Sequence, residues 1–300
     1  MQNPRYLVFD VERVADGELV SKIRYPGQGL SATEAVARYR QELMEKFESD
    51  FIPYTFQVPV SVAIGKVSAD YRLLDVVVLD EPQYRPHVIT EYFWRGWDRY
   101  SRPTLVSFNG RTFDLPLLEL AAFRFGVPAP GWFNVEAMSY EQFRNRYNLK
   151  SHIDLQELLT NYGSARFSGG LNLAASLLGK PGKMDVQGYM VQDMYQRNEL
   201  REINDYCRCD VLDTYFVFLR SRVLLGKLSL DNEQAIIAEV KAMLESQAEK
   251  LPAYRDYLAR WGDWKNPWEP AGNDSEPAGK ETEPAHNDTE PAGDGSQAAS

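Results

Sequence analysis

The sequence predicts an α/β fold in which a mixed sheet is flanked by helices, and three observations carry that prediction. Short β-branched and apolar runs stand in the N-terminal part of the chain, apolar residues recur at helical spacing between and after them, and 300 residues that are 44% hydrophobic and 25% charged suffice for one sizeable core.

Residues 6–11 (YLVFDV) form a short apolar strand. Residues 58–67 and 73–79 are β-branched runs separated by the polar Ser68-Ala69-Asp70 turn, which predicts an antiparallel hairpin. Residues 104–108 are a further buried strand. Apolar spacing predicts helices over residues 87–100, 115–125, 171–178 and 198–223, with an amphipathic helix over 232–250. Three antiparallel strands, then helix, strand and helix, suit a ribonuclease H-like core whose later strands run parallel. Residues 17–56, polar and partly helical over 32–47, are an insertion between the first strand and the hairpin, and their sequence carries no identifiable chemistry. The expected domain spans residues 1–262.

The last part of the chain, residues 263–300, contains the repeats EPAGNDS, EPAGKET, EPAHNDT and EPAGDGS. Each has proline and no large apolar residue, so nothing offsets the entropy of ordering, and a disordered acidic tail is expected. The formal charge of −10 at first opposes a nucleic-acid partner. From residue 269 on there are eight acidic groups and one lysine, Lys280, which leaves residues 1–268 with 32 Lys and Arg against 35 Asp and Glu. A nearly neutral body whose acids bind cations no longer repels phosphate.

No stretch approaches the roughly 18 uninterrupted apolar residues of a membrane helix, and the opening MQNPRYLVFD is strand-like where a signal peptide would be apolar and helical. A cytoplasmic location with no membrane partner is expected. Cys207 and Cys209, two apart on a helix, point in different directions, so no disulfide joins them.

Three acidic motifs carry the chemistry. In Leu7-Val8-Phe9-Asp10-Val11-Glu12, strand alternation puts Asp10 and Glu12 on one face, roughly 7 Å apart along the chain. Two carboxylates ending an apolar strand raise each other's pKa unless a positive charge lies between them. Hard cations such as Mg2+ or Mn2+, which prefer oxygen ligands, meet that need. Alone, the same pattern also describes a solvated strand end.

In Asn109-Gly110-Arg111-Thr112-Phe113-Asp114-Leu115-Pro116, a glycine turn follows a buried strand and Asp114 stands where a helix begins. It serves equally as a metal ligand or as that helix's N-cap. In Tyr206-Cys207-Arg208-Cys209-Asp210, the i, i+4 spacing stacks a phenol and a carboxylate on one helical face. Asp205 and Asp213 nearby admit a solvated acidic face, and Asp213 is an outside candidate ligand.

In order and spacing these motifs resemble the DEDD superfamily of 3′–5′ exonucleases. Tyr206, with Asp205 rather than histidine before it, makes the tyrosine subtype the nearer likeness. Asn109–Asp114, His152-Ile153-Asp154-Leu155, the loop from Leu178 to Lys183 and Tyr206–Val211 are similar to the predicted 3′–5′ exonuclease group related to the proofreading domain of family B DNA polymerases. The likeness spans about residues 5–225 and leaves no room for polymerase palm or fingers. It implies a stand-alone nuclease, with two Mg2+ or Mn2+ ions bound by Asp10, Glu12, Asp114 and Asp210 and a water attacking the terminal phosphodiester.

Tyr206, with an ordinary phenol pKa near 10, then suits orienting that water rather than taking its proton. The implied partner is a nucleic acid with a free, single-stranded 3′ end, with DNA favoured, although no residue visibly reads a 2′-hydroxyl. Asn109 and Phe113 flank the second motif and are expected to contact the nucleic acid, Phe113 being placed to stack on the last base. Lys183 and Lys180, beside a glycine-proline loop, and the stretch YEQFRNRYNLK over residues 140–150 offer phosphate contacts, the latter equally a solvated basic face. For His152 and Asp154, capping or packing suits better than ligation, because the metal site is hard and already has four acids. A scaffold that has lost the chemistry would not keep all four acids and Tyr206. An endonuclease of the same fold would not need the late Tyr-x-x-x-Asp helix.

Overall fold

The structure, a computed structural model, describes residues 3–182 and 188–268. Lys183 and the acidic repeats from Glu269 on therefore lie outside the described residues. The sheet and its helices belong to a compact unit, Met1–Trp264, with Lys265–Ser300 set off as a second.

The five strands are β1 (Tyr6–Ala15), β2 (Gln57–Val67), β3 (Leu73–Val78), β4 (Thr104–Ser107) and β5 (His152–Asp154), in the order β3-β2-β1-β4-β5. β1, β2 and β3 pair antiparallel, while β4 joins β1 and β5 joins β4 in parallel. This is the ribonuclease H-like arrangement that the strand patterns predict. β1 takes the centre because Leu7, Val8, Phe9 and Val11 are all buried, so the strand is apolar on both faces.

The helices are α1 (Gly17–Arg24), α2 (Ala32–Phe47), α3 (Pro86–Arg99), α4 (Asp114–Phe125), α5 (Leu155–Leu159), α6 (Gly170–Ser176), α7 (Val191–Gln196), α8 (Leu200–Leu224), α9 (Leu230–Gln247) and α10 (Pro252–Ala259). α3 covers one face of the sheet, where the rings of Phe93 and Phe9 lie 5.3 Å apart. α8 covers the other. A β-carbon on Gly65 of β2 would stand 3.1 Å from Cγ1 of Val211, so a glycine there lets the long helix lie close against the strands. Because side chains alternate along β1, Asp10 shares the face of Val8 and looks toward α8 rather than α3.

Three differences from the sequence expectations have local causes. β1 continues to Ala15, past the charged Glu12 and Arg13, because β2 supplies ladder partners as far as Gln57. β5 is only three residues long, too short for a periodic signal, and α10 begins on Pro252 at its first turn. The insertion has a small core of its own, in which Val20 of α1 packs with Val36, Tyr39 and Leu43 of α2 and with Ile52. Asp16 caps α1 by accepting from Leu19 N, and Ser31 and Glu34 form a capping box on α2.

Candidate active site

Asp10 and Glu12 leave one face of β1 and meet Asp210, which α8 brings down on that face. Each of the three offers a carboxylate oxygen, and these oxygens all lie within 4.8 Å of one another. An all-oxygen donor set so compact matches a hard divalent cation.

Asp114 comes from a third element, as the first residue of α4. It is buried and it does not cap its helix: Phe113 occupies the cap position and makes no side-chain cap bond. Of the two roles open from sequence, capping is thus removed. The approach of Asp114 depends on Gly110, where a β-carbon would stand 2.6 Å from the Ser107 side chain and 2.8 Å from Asp114 Oδ2. Asn109, at φ 63, turns the chain into this loop, and its amide donates to Asp154 Oδ1 at 3.0 Å. Arg111 N donates to the other oxygen of Asp154, also at 3.0 Å.

Asp154 therefore organises the loop that carries Asp114. It also caps α5 through Gln156 N and Glu157 N, the capping role expected of it. His152 packs in the sheet with Nε2 2.8 Å from Ser107 Oγ. The Asn109 side chain accepts from Gln156 Nε2 at 3.3 Å.

The electrostatics of the cluster follow from burial. Desolvation, then repulsion from Asp10 and Asp210, pushes the Glu12 carboxyl well above the usual range. Desolvation and Asp10 do the same to Asp114, and desolvation raises Asp10. Taking one ionised carboxylate out of water costs several kcal/mol even after relaxation. Arg13 lowers the pKa of all three acids, yet one arginine against four carboxylates leaves an excess of negative charge for cations to balance.

Tyr206 lies one turn before Asp210, largely buried, and its hydroxyl hydrogen-bonds the Asp210 carboxylate. Burial and the neighbouring Asp210, Glu12 and Asp10 hold its pKa far above that of an ordinary phenol. Between the two, the Cys207 thiol donates to Asp10, with Sγ 3.4 Å from the carbonyl oxygen and 3.5 Å from Oδ2. Both cysteines are free.

Other residues singled out in sequence fall elsewhere. Phe113 stands edge-on to Phe51, a residue of the insertion, at 6.0 Å between centroids. Lys180 does not reach outward: it is buried, with Nζ 3.9 Å from the centroid of Trp261, and desolvation lowers its pKa to about 8. Arg144 pairs with Glu119 at 2.7 Å and Arg146 with Glu157 at 2.6 Å, so the basic groups in residues 140–150 are already matched by carboxylates. Asp205 faces Arg201 at 3.9 Å. Asp213 is buried away from the cluster and accepts from Tyr257 Oη at 2.6 Å, with burial raising its pKa to about 7. Arg13 belongs to no motif, and sequence alone gives no sign that it faces the acids.

Residues 49–261 match the family described as "Predicted 3'-5' exonuclease related to the exonuclease domain of PolB". Among solved structures, the family B DNA polymerase from the hyperthermophilic archaeon Pyrobaculum calidifontis is similar, with 15% sequence identity and a TM-score of 0.46. That similarity covers 83% of this chain and 29% of the polymerase, so the chain spans less than a third of the polymerase's length. No curated protein matches.

Proposed function

Because the chain belongs to the family of predicted 3′-5′ exonucleases related to the exonuclease domain of PolB, we propose that it hydrolyses the terminal phosphodiester of single-stranded nucleic acid, DNA in preference, from the 3′ end. The observation that carries this reading is the convergence of Asp10, Glu12 and Asp210 within 4.8 Å, with buried Asp114 beside them.

Asp10, Glu12, Asp114 and Asp210 would hold two divalent cations, Mg2+ or Mn2+. Bound there, such ions would supply Lewis acidity, polarising a water and neutralising charge on phosphate oxygens. The chain's own residues do the rest. Tyr206, kept protonated by its raised pKa, is a hydrogen-bond partner that orients the attacking water and cannot act as its base at neutral pH. Gly110 and Asp154 hold the loop that sets Asp114.

The test is direct. With Mn2+ or Mg2+, the purified protein is expected to shorten a 5′-labelled single strand one nucleotide at a time from its 3′ end, and Asp10→Ala is expected to abolish this. Internal cuts in a circular strand would replace the reading by an endonuclease. Tight binding with no cleavage under either metal would replace it by a scaffold.

A further inference from the structure

Beside the acids lies a cavity of about 300 Å3, lined among others by Glu12 and Arg13 of β1, Arg40 of α2, Asp50 and Phe51 of the insertion, and Gln192 of α7. Neighbouring residues of a strand ordinarily face opposite sides of the sheet, yet Glu12 and Arg13 both line this cavity. The register of β1 on β2 slips between them, Glu12 standing opposite Ser61 and Arg13 opposite Pro59. A bulge of this kind re-aims a side chain.

The two arginines of the cavity differ. Arg40 is tied to Asp50 and lies 3.9 Å from Asp193, so its charge is matched. Arg13 forms no ion pair among the described residues. Its guanidinium carbon lies 5.1 Å from the centroid of Phe113 and 5.7 Å from that of Phe51. Those rings meet edge to face, which leaves no slot for a base between them. Phe51 is nonetheless 48% exposed, a large ring left in solvent beside the site. A guanidinium near the acids but held in no ion pair with them, next to an exposed aromatic ring, offers a phosphate contact and a stacking surface together. The volume lies at the small end of ligand pockets, roughly 300–1,000 Å3, which suits one nucleotide.

We propose that Arg13 and Phe51 form a subsite for one nucleotide of the entering strand, the guanidinium binding a phosphate oxygen and the Phe51 ring stacking on a base. This rests on the exonuclease reading and deepens it. The insertion then acquires a role, since it delivers the stacking ring while Phe113, from the Asp114 loop, buttresses its edge. Stacking accepts any base, as removal of successive nucleotides requires.

The experiment measures binding of a 5′-fluorescein oligothymidylate to the full chain by anisotropy in EDTA across a salt series. It is paired with steady-state degradation of the same strand in Mn2+. Phe51→Ala is expected to weaken binding roughly 5- to 100-fold with the salt slope unchanged, and Phe51→Tyr to restore it. Arg13→Gln is expected to weaken binding and to reduce the slope of log affinity against log salt by about 0.7, and Arg13→Lys to keep the slope. In turnover, KM should rise more than kcat falls for both loss variants. The subsite is overturned if the wild type binds and degrades the strand while Phe51→Ala and Arg13→Gln match it within twofold in affinity, slope and KM. If the wild type neither binds nor shortens a single strand, the exonuclease reading itself fails and the subsite falls with it.

Discussion

Gly110 and Asp114 approach so closely that a β-carbon on the glycine would lie 2.8 Å from the aspartate's Oδ2. Such a carbon also meets the Ser107 side chain at 2.6 Å, and that serine is fixed by His152, so neither neighbour can yield cheaply. Gly110→Ala is therefore expected to destabilise the protein by about 1–3 kcal/mol, an overpacking cost, and to lower the melting temperature by several degrees. It should also raise the Mn2+ concentration needed for half-maximal activity, because Asp114 is displaced. A melting curve and a Mn2+ titration matching wild type would show that the loop does not position Asp114.

The acid cluster makes a signed prediction about pH. The carboxyls of Glu12, Asp114 and Asp10 are raised in the folded state, so the native protein binds protons more tightly than the unfolded chain. Their contribution to stability therefore falls as pH rises above the ordinary carboxylate value of about 4.3 and stays unfavourable once all are ionised. In EDTA, Glu12→Gln should melt a few degrees higher than wild type at pH 8, with a smaller difference at pH 5. Mn2+ should stabilise wild type more at pH 8 than at pH 5, and should do little for the variant. A variant that melts lower than wild type in EDTA at pH 8 contradicts this account.

Removing the Tyr206 hydroxyl separates orientation from binding of the cation. Tyr206→Phe is expected to lower kcat by about 10–100-fold while the Mn2+ requirement stays near wild type. Since the phenol remains protonated throughout the working range, the wild-type pH profile should show no limb that the variant lacks. Loss of Mn2+ affinity equal to the loss of rate would make Tyr206 part of the ligand set instead.

Paired arginines serve as the control for the unpaired one. Arg144 and Arg146 are held by Glu119 and Glu157. Arg144→Gln and Arg146→Gln are expected to change single-strand affinity by less than about threefold and to shift stability by no more than about 1 kcal/mol. A tenfold loss of affinity in either would return residues 140–150 to the substrate path.

Much of the site is legible in the sequence because two periodicities fix faces. Alternation along β1 brings Asp10 and Glu12 together, and the helical spacing of Tyr206 and Asp210 makes them neighbours on α8. The antiparallel pairing of β2 with β3 also follows from pattern, since two β-branched runs flank the polar turn at Ser68–Asp70. What escapes depends on partners distant in the chain. Lys180 looks free beside its glycines until Trp261 covers it, and Arg144 looks basic until Glu119 meets it. Arg13 escapes for another reason: its direction is set by a slip in register, which no single-strand pattern records.

The first acids of the cluster lie on β1 and the last on α8, Asp10 and Asp210 being two hundred positions apart. During synthesis, the strand that bears Asp10 leaves the ribosome long before the helix that completes the cluster, and a contact of that sequence separation closes late. The carboxylate cluster thus does not exist until α8 has been made and has packed against β1. Any cation held between these two elements therefore binds the folded chain and not its separate parts, so metal affinity would report that folding has finished.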